Sequence, residues 1–381
     1  MLPAKHYLTP DAAQHALCLA DLSEFTYPGH AVGLLAEELI GGLAQRGWPL
    51  AVVHRGRRIV SPEYNHGQLG LGLHDRSERA EQTLWVNELL VLRSHTRGGA
   101  CSALQAAARV RKPGEVLAVA VPGLTFCQGP RDRWHGTAMH HMDLWLLGEP
   151  ELSNRRALLR LAGEVFGLAL PGRAWAHVDC QQPFTEGGLL ASVMSREGAV
   201  PVLEAGCLSR HLLQRLDIDP ARHGGLALGL NLDRLVMLRK GIPDIRLLRE
   251  QAPCASQQLR NLQPWKPISR PAAVMRDVSV ALVPGQSVGV LTAKVLAAAG
   301  NQADCIEQVV VRGRWPLCEL PSPVVEELGM YPGQENVVLQ LTLRRCVGYI
   351  RPDQADALMA TIEHALHQGT LGGGYRIGRR S

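Results

Sequence analysis

Apolar residues between positions 31 and 43 recur at helical spacing, and Gly47-Trp48 ends the run just before four apolar positions, 50–53. That pattern predicts a long helix leading into a strand. Positions 61–83 are polar, rich in Gly and Arg and without apolar period, which predicts loop or irregular structure covering a cleft. Apolar runs at 89–92, 116–121 and 144–147 predict buried strands, and Ser153 is placed to cap a helix running to Phe166. Residues 1–250 therefore read as one domain of mixed strands and helices. From 251 to 270 the chain turns polar, with Pro253, Pro264 and Pro267, which predicts an exposed linker. Beyond it come strand 278–282, helix 288–299, strand 306–311, a Pro-rich loop, strand 336–343 and helix 352–367. This order predicts a small α/β sandwich over 271–381. There is no internal repeat, and the Gly372-Gly373-Gly374 tail predicts disorder.

The bulk properties narrow the class without naming a function. With 381 residues, 46% of them hydrophobic and 20% charged, the chain has a globular composition and room for two or three domains. Lys and Arg outnumber Asp and Glu by 40 to 35, a net charge of +5 that permits nucleic-acid binding without demanding it. The nine cysteines lack paired short spacings, and a chain of this size needs no disulfide staples, so they read as reduced thiols in a cytoplasm. No run approaches the ~18 apolar residues of a membrane span, and the N-terminus has no signal-peptide core.

The chemistry is most concentrated over 225–246. Alternating Gly225, Ala227, Gly229 and Asn231 leave one strand face nearly bare, so that a flat base can lie on it. Arg234 follows in the first helical turn, where a guanidinium fork suits phosphate oxygens. This stretch resembles motif 3 of class II aminoacyl-tRNA synthetases, and Gly241-Ile-Pro-Asp-Ile-Arg246 narrows the resemblance to the phenylalanyl-tRNA synthetase family. The resemblance runs back across about 230 residues. It implies an α+β protein: a class II antiparallel-sheet catalytic domain over 1–250, a linker over 251–270 and a ferredoxin-like α/β sandwich over 271–381. Pro271-Ala-Ala-Val-Met-Arg276-Asp277 resembles the start of that family's ferredoxin-fold anticodon-binding domain, and an unrelated ferredoxin-like regulatory domain is the alternative.

Residue by residue, the resemblance implies a site with several altered letters. His30 stands where motif 1 begins, with Ala31 in place of the usual proline. Leu92-Arg-Ser-His95-Thr-Arg97 resembles a segment that helps hold the amino acid, with Arg97 where the family has serine. Glu204, within Val202-Leu-Glu-Ala-Gly-Cys207, falls on the strand near ATP and its metal, which makes it a candidate magnesium-side carboxylate. Residues 126–143 align with motif 2. There the arginine that grips the α-phosphate is Cys127, its acidic partner is Gly129, and the substrate-amine Gln and Glu are His141 and Asp143, while His135 and His140 are retained. Loss of one preorganised donor typically costs roughly 10²–10³ in rate. Arg131, Arg133 and Arg97 are the cations available to replace it. Zinc is a competing reading of Cys127, His135, His140, His141, Cys180 and Cys207, although no Cys-x-x-Cys supports it.

The segment 177–189 resembles the signature whose two phenylalanines stack on the substrate ring. Phe184 is retained, Gln182 replaces the other aromatic wall, and Leu189 stands where a small residue leaves room. A buried amide asks for a hydrogen-bonding ligand, so the expected side-chain pocket is smaller and more polar than one for phenylalanine and suits a polar or acidic side chain. The implied function is an ATP- and Mg2+-dependent ligase that adenylates an amino acid and passes it to tRNA. Arg234, Gly229, Asn231 and His135 would serve ATP, with His95, Arg97, His141, Asp143, Gln182, Phe184 and Leu189 serving the amino acid. A non-tRNA acceptor and a catalytically inactive tRNA-binding or amino-acid-sensing protein remain as alternatives. The expected form is a cytoplasmic monomer or homodimer.

Overall fold

A computed structural model of the chain describes residues 5–24, 29–48, 50–71, 82–268 and 271–370. The architecture is α+β, with two compact units. The first is built from residues up to Cys127, Ala138–Leu248 and Ser256–Lys266; the second takes Gln128–Thr137, Arg249–Ala255 and the chain from Pro267 onward.

Three adjacent strands carry the site of the first unit. Its seven-stranded sheet has the order β2 (Leu50–Val53), β6 (Leu117–Phe126), β7 (Ala138–Gly148), β11 (Gly224–Asn231), β10 (Gly198–Leu208), β9 (Thr185–Ser195) and β8 (Trp175–Asp179). Only β2–β6 is parallel; the other five pairings are antiparallel. A second sheet of short strands has the order β1 (His6–Tyr7), β4 (Leu84–Asn87), β5 (Leu90–Leu92) and β3 (Ile59–Val60). Helices α1 (Pro10–Cys18), α2 (Ala31–Gln45), α3 (Arg97–Val110), α4 (Arg155–Ala169), α5 (Arg210–Arg215) and α6 (Leu232–Lys240) complete the unit. The core between α3 and the sheet includes Leu104, Val119, Trp145, Leu147 and Phe184.

Helix α2 starts at Ala31 because His30 caps it: Nδ1 accepts from Val32 N at 3.2 Å, and Nε2 donates to Leu248 O at 3.1 Å. Ser153 does not cap α4. Asn154 does, accepting from Ala157 N at 2.9 Å, while the Ser153 hydroxyl accepts from Gly225 N at 2.8 Å and pins the start of β11. The polar stretch after position 61 is not all loop. Ser61 caps a single turn, Pro62–Asn65, a 3-10 turn follows at Gly67–Leu69, and the Leu69 side chain is buried. Residues 72–81 of that stretch lie outside the described residues.

In the second unit, β12 (Val274–Leu282), β14 (Glu335–Leu343) and β13 (Ile306–Pro316) form an antiparallel sheet with β14 in the centre. Helices α7 (Val288–Ala299) and α9 (Pro352–Leu366) share one core with it, including Val280, Leu291, Val295, Leu339, Leu358 and Ile362. The Pro-rich loop contains a short helix, α8 (Ser322–Glu327). The order β-α-β-β-α supplies five elements of a ferredoxin-like sandwich. The glycine tail after Thr370 lies outside the described residues.

Candidate functional site

Strand register, not proximity in sequence, assembles the site. Asp143 on β7 lies opposite Gly229 on β11, and Gly229 lies opposite Glu204 on β10. The result is a carboxylate, a bare backbone position and a second carboxylate in one row across three strands. Arg97, the first residue of α3, reaches into this row. Its Nη2 pairs with Glu204 Oε2, and its Nε lies 3.7 Å from Asp143 Oδ1. Gly229 lies beneath the guanidinium: a methyl built there would sit at ordinary contact distance, 3.4 Å from Asp143 Oδ1 and 3.5 Å from Arg97 Nη2. Burial alone would strip water from both carboxylates, so a guanidinium shared between them is what makes the row tolerable.

Each member of the row has further partners. Asp143 Oδ2 accepts from Thr96 Oγ1 at 2.6 Å, and Oδ1 accepts from Trp145 Nε1 at 3.2 Å. Burial raises the Asp143 pKa above the ordinary carboxylate value, and Arg97 and the two hydrogen bonds oppose that rise. Glu204 Oε1 accepts from the Gln182 amide, and the Cys180 thiol lies 3.7 Å from the same oxygen. The Arg97 guanidinium lies over the Phe184 ring, 5.0 Å from its centroid, and Trp145 stacks on that ring at 6.1 Å and 10°.

The row forms part of the wall of a cavity of about 360 Å³ in the first unit, whose other walls include Cys127, His141, Asn231 and Arg234. Helix α6 begins there because Asn231 caps it, accepting from Arg234 N at 3.0 Å. The Arg234 guanidinium donates from Nη1 to Pro201 O at 2.9 Å. Asp233 faces away, taking both His140 N and His140 Nδ1 at 2.9 and 2.7 Å, so His140 braces β7 rather than lining the cavity. The tautomer of His141 follows from its neighbours. Thr125 Oγ1 donates to Met139 O at 2.9 Å, so it accepts from His141 Nδ1 at 2.8 Å, and His141 Nε2 then accepts from Asn231 Nδ2 at 3.2 Å. Burial, with the Arg234 and Arg97 charges, lowers the His141 pKa to about 4 although Asp233 opposes it, so the imidazole is neutral near pH 7.

Not every expected site residue gathers here. His95 does, with its ring edge-on to His66 at 5.6 Å, and so does Cys127, whose thiol is 3.6 Å from Gln82 Oε1 and is pushed up to about 11 by burial. A neutral thiol supplies no charge to a phosphate. Arg131, Arg133 and His135 belong to the second unit and are not among the cavity-lining residues. Arg131 is buried there, donating from Nε to Ile306 O at 2.9 Å and from Nη2 to Ala303 O at 3.4 Å. Arg133 lies over Trp134, and His135 pairs with Asp132 at 2.8 Å. Leu189 is buried off the cavity. Its neighbour Leu190 lines the wall instead, because successive strand side chains point to opposite faces. The bare face of β11 meets the cavity at Gly229 and Asn231, while Ala227 packs in the core and lines a smaller recess beside it.

Glu204 does not fit a magnesium ligand in this arrangement. Both of its oxygens already have partners, one of them a guanidinium that would repel a divalent cation. Among the described residues there is no group of three or more His, Cys, Asp or Glu placed to hold a metal, and this covers the zinc reading as well. Thr96 and Thr125, which orient Asp143 and His141, were not picked out from the sequence. Thr96 lies inside the quoted 92–97 segment, which was the available signal.

The model of the family described as tRNA synthetases class II core domain (F) matches residues 27–259, more than half of the chain. The chain belongs to the class II tRNA synthetase family. Within this family it is a divergent relative of the phenylalanine-specific enzymes. It is 26% identical over 262 residues to the phenylalanine–tRNA ligase alpha subunit of Mannheimia succiniciproducens, covering 65% of this chain and 74% of that one. The alpha subunit from Lysinibacillus sphaericus is 25% identical over 268 residues, with coverage of 65% and 74%. That from Hamiltonella defensa is 28% identical over 201 residues, with coverage of 52% and 58%. Among solved structures, a pyrrolysyl-tRNA synthetase from Desulfitobacterium hafniense matches 60% of this chain and 76% of its own, at 17% identity and a TM-score of 0.47. No described helix of this synthetase-family chain is long and apolar enough to cross a membrane.

Proposed function

We infer that this chain is an amino-acid-activating ligase: ATP and an amino acid give an aminoacyl adenylate and pyrophosphate, and the acyl group then passes to a tRNA. The observation that carries this reading is the convergence of the Asp143–Gly229–Glu204 row and the Arg234 turn on one cavity of about 360 Å³, a size suited to a small ligand. Asp143, steadied by Thr96 and Trp145, takes the α-ammonium group. Neutral His141 keeps a polar edge on the cavity without adding a second positive charge. Asn231 and Gly229 offer a flat floor for the base, and Arg234 takes the phosphate tail, exchanging its bond to Pro201 O for charge-assisted ones. Magnesium enters with ATP as its phosphate complex, not through Glu204. The α-subunits that the chain resembles are named for ligation of phenylalanine to tRNA, which supports tRNA as acceptor.

One observation favours a second reading, a binding protein without turnover. The arginines lining the cavity are Arg97 and Arg234, and Arg97 is held by Glu204 and Asp143. Cys127 adds no cation, so the charge gathering on the α-phosphate meets fewer fixed donors than an efficient adenylating site offers. Amino-acid-dependent exchange of labelled pyrophosphate into ATP separates the two. Exchange with any amino acid supports the ligase. Silence across the panel, with measurable ATP binding by calorimetry, supports the binding protein.

A further inference from the structure

Beside the main cavity is a recess that shares Arg97, Asp143, Glu204 and Gly229 with it and is closed by Gln182 and Phe184. Its free volume is about 10 Å³, room for roughly one water-sized group. We propose, on the reading that this site adenylates an amino acid, that it selects a small uncharged side chain, and that Arg97 is the residue that sets this choice.

Three observations carry the proposal. The first is volume: beyond Cβ, the recess admits a hydroxyl, thiol or methyl and no ring. The second is the state of its aromatic wall, Phe184 and Trp145. Phe184 already has Trp145 stacked on it and the Arg97 guanidinium over it, so a ligand ring finds no open face without displacing one of them. The third is charge. Arg97 is matched by Glu204, and Glu204 is further held by Gln182. With Asp143 left for the α-ammonium group, the recess is internally balanced. A side-chain carboxylate would have to take Arg97 from Glu204 and leave that carboxylate unpaired in a largely buried place. A side-chain ammonium would face the guanidinium. Either arrangement strands a charge, which penalises the ligand more than a missing contact does. Glycine, alanine, serine and cysteine meet all three conditions. The polar or acidic substrate expected from sequence is thereby narrowed, and acidic side chains drop out.

The strand register makes Arg97 the determinant. The guanidinium stays over a glycine between two carboxylates, and its stem leaves from the first turn of α3, so its position is fixed from both ends.

The test is pyrophosphate exchange with the full chain and each of the twenty amino acids. One or more of glycine, alanine, serine and cysteine is expected to give kcat/KM at least about tenfold above phenylalanine, aspartate, glutamate and lysine. A lead by any of the latter four overturns the selectivity while leaving the ligase reading intact. Silence with all twenty, against a phenylalanyl enzyme that gives signal, overturns the ligase reading and this inference with it. Arg97→Ser is expected to lose the small-residue preference by about tenfold, chiefly through KM, and to admit larger side chains. Gln182→Ala, which loosens Glu204 without touching Arg97, is expected to move the ranking the same way by less. Circular dichroism melting identifies which variants fold, and a folded variant of either kind that keeps the wild-type ranking overturns the role given to Arg97.

Discussion

At the scale of single residues, His141 shows how burial decides protonation and how that becomes a pH dependence. Its ordinary value of 6.5 is lowered to about 4 in the folded chain, chiefly by burial. The folded-state pKa is depressed, so between pH 6.5 and 4 the unfolded chain binds a proton that the folded chain refuses. Stability therefore falls as pH drops through that window, by up to about 3 kcal/mol for this group alone, less whatever water on the cavity-facing edge of the ring recovers. Replacement by Gln keeps a donor for Thr125 and an acceptor for Asn231 but does not titrate. His141→Gln is expected to lose less stability than the wild type between pH 6.5 and 4, measured by urea denaturation at each pH. Parallel curves for the two proteins would show that His141 titrates normally and is not buried as described. Asp143 works in the opposite sense. Its raised pKa makes the carboxylate itself the strained form, and Arg97, Thr96 and Trp145 hold it in the charged state that an ammonium group needs.

At the scale of elements, the turn from β11 into α6 joins stability to chemistry through Asn231. Its Oδ1 caps the helix at Arg234 N and its Nδ2 donates to His141 Nε2. Asn231→Ala removes both and is expected to cost about 1 kcal/mol by thermal melting, with weaker ATP binding because Arg234 loses its fixed start. Asn231→Asp restores the cap but cannot donate to His141. It is expected to recover the melting temperature without recovering wild-type ATP affinity, and recovery of both together would show that only the cap matters. This turn was also the most legible part of the chain, since glycine spacing, the capping Asn and the Asp-Arg start are all local. Elsewhere legibility ended where the physics became non-local. Strands β6 and β7 extend well past the apolar cores at 116–121 and 144–147, because Gly123 and His141 face each other across a ladder that a single strand's pattern does not reveal. Ser153 satisfies the local rule for a cap, yet Asn154 took the role because the Ser153 hydroxyl is held by Gly225, 72 positions away. The row of Asp143, Gly229 and Glu204 depends on the mutual register of three strands. The sequence showed its members as candidates but not that Arg97 would join them, so Glu204 was read as a metal-side carboxylate.

At the scale of the whole molecule, the second unit is discontinuous in sequence. It includes Gln128–Thr137, a segment from between two central strands of the first unit, along with Arg249–Ala255. The segment was read as part of motif 2, with Arg131 and Arg133 among the cations available to stand in for the arginine that Cys127 replaces. Instead, Arg131 is buried against the start of β13, with Nε on Ile306 O and Nη2 toward Ala303 O. The opening of β12 lies far along the chain from this segment, so a fragment that starts at Pro267 lacks a buried arginine that the intact unit uses. Arg131→Ala leaves the Ile306 carbonyl without that donor in a buried place, a loss of about 1–3 kcal/mol, more than a surface arginine would cost. The loss belongs to the second unit, and amide hydrogen exchange reads it locally. In Arg131→Ala the amides near Ile306 and along β13 are expected to exchange faster than in the wild type, while those pairing β10 with β11 keep their protection. Equal acceleration in both sheets would mean that the chain opens as one cooperative body and that Arg131 contributes to all of it. No acceleration in β13 would mean that the arginine adds nothing to the unit that buries it.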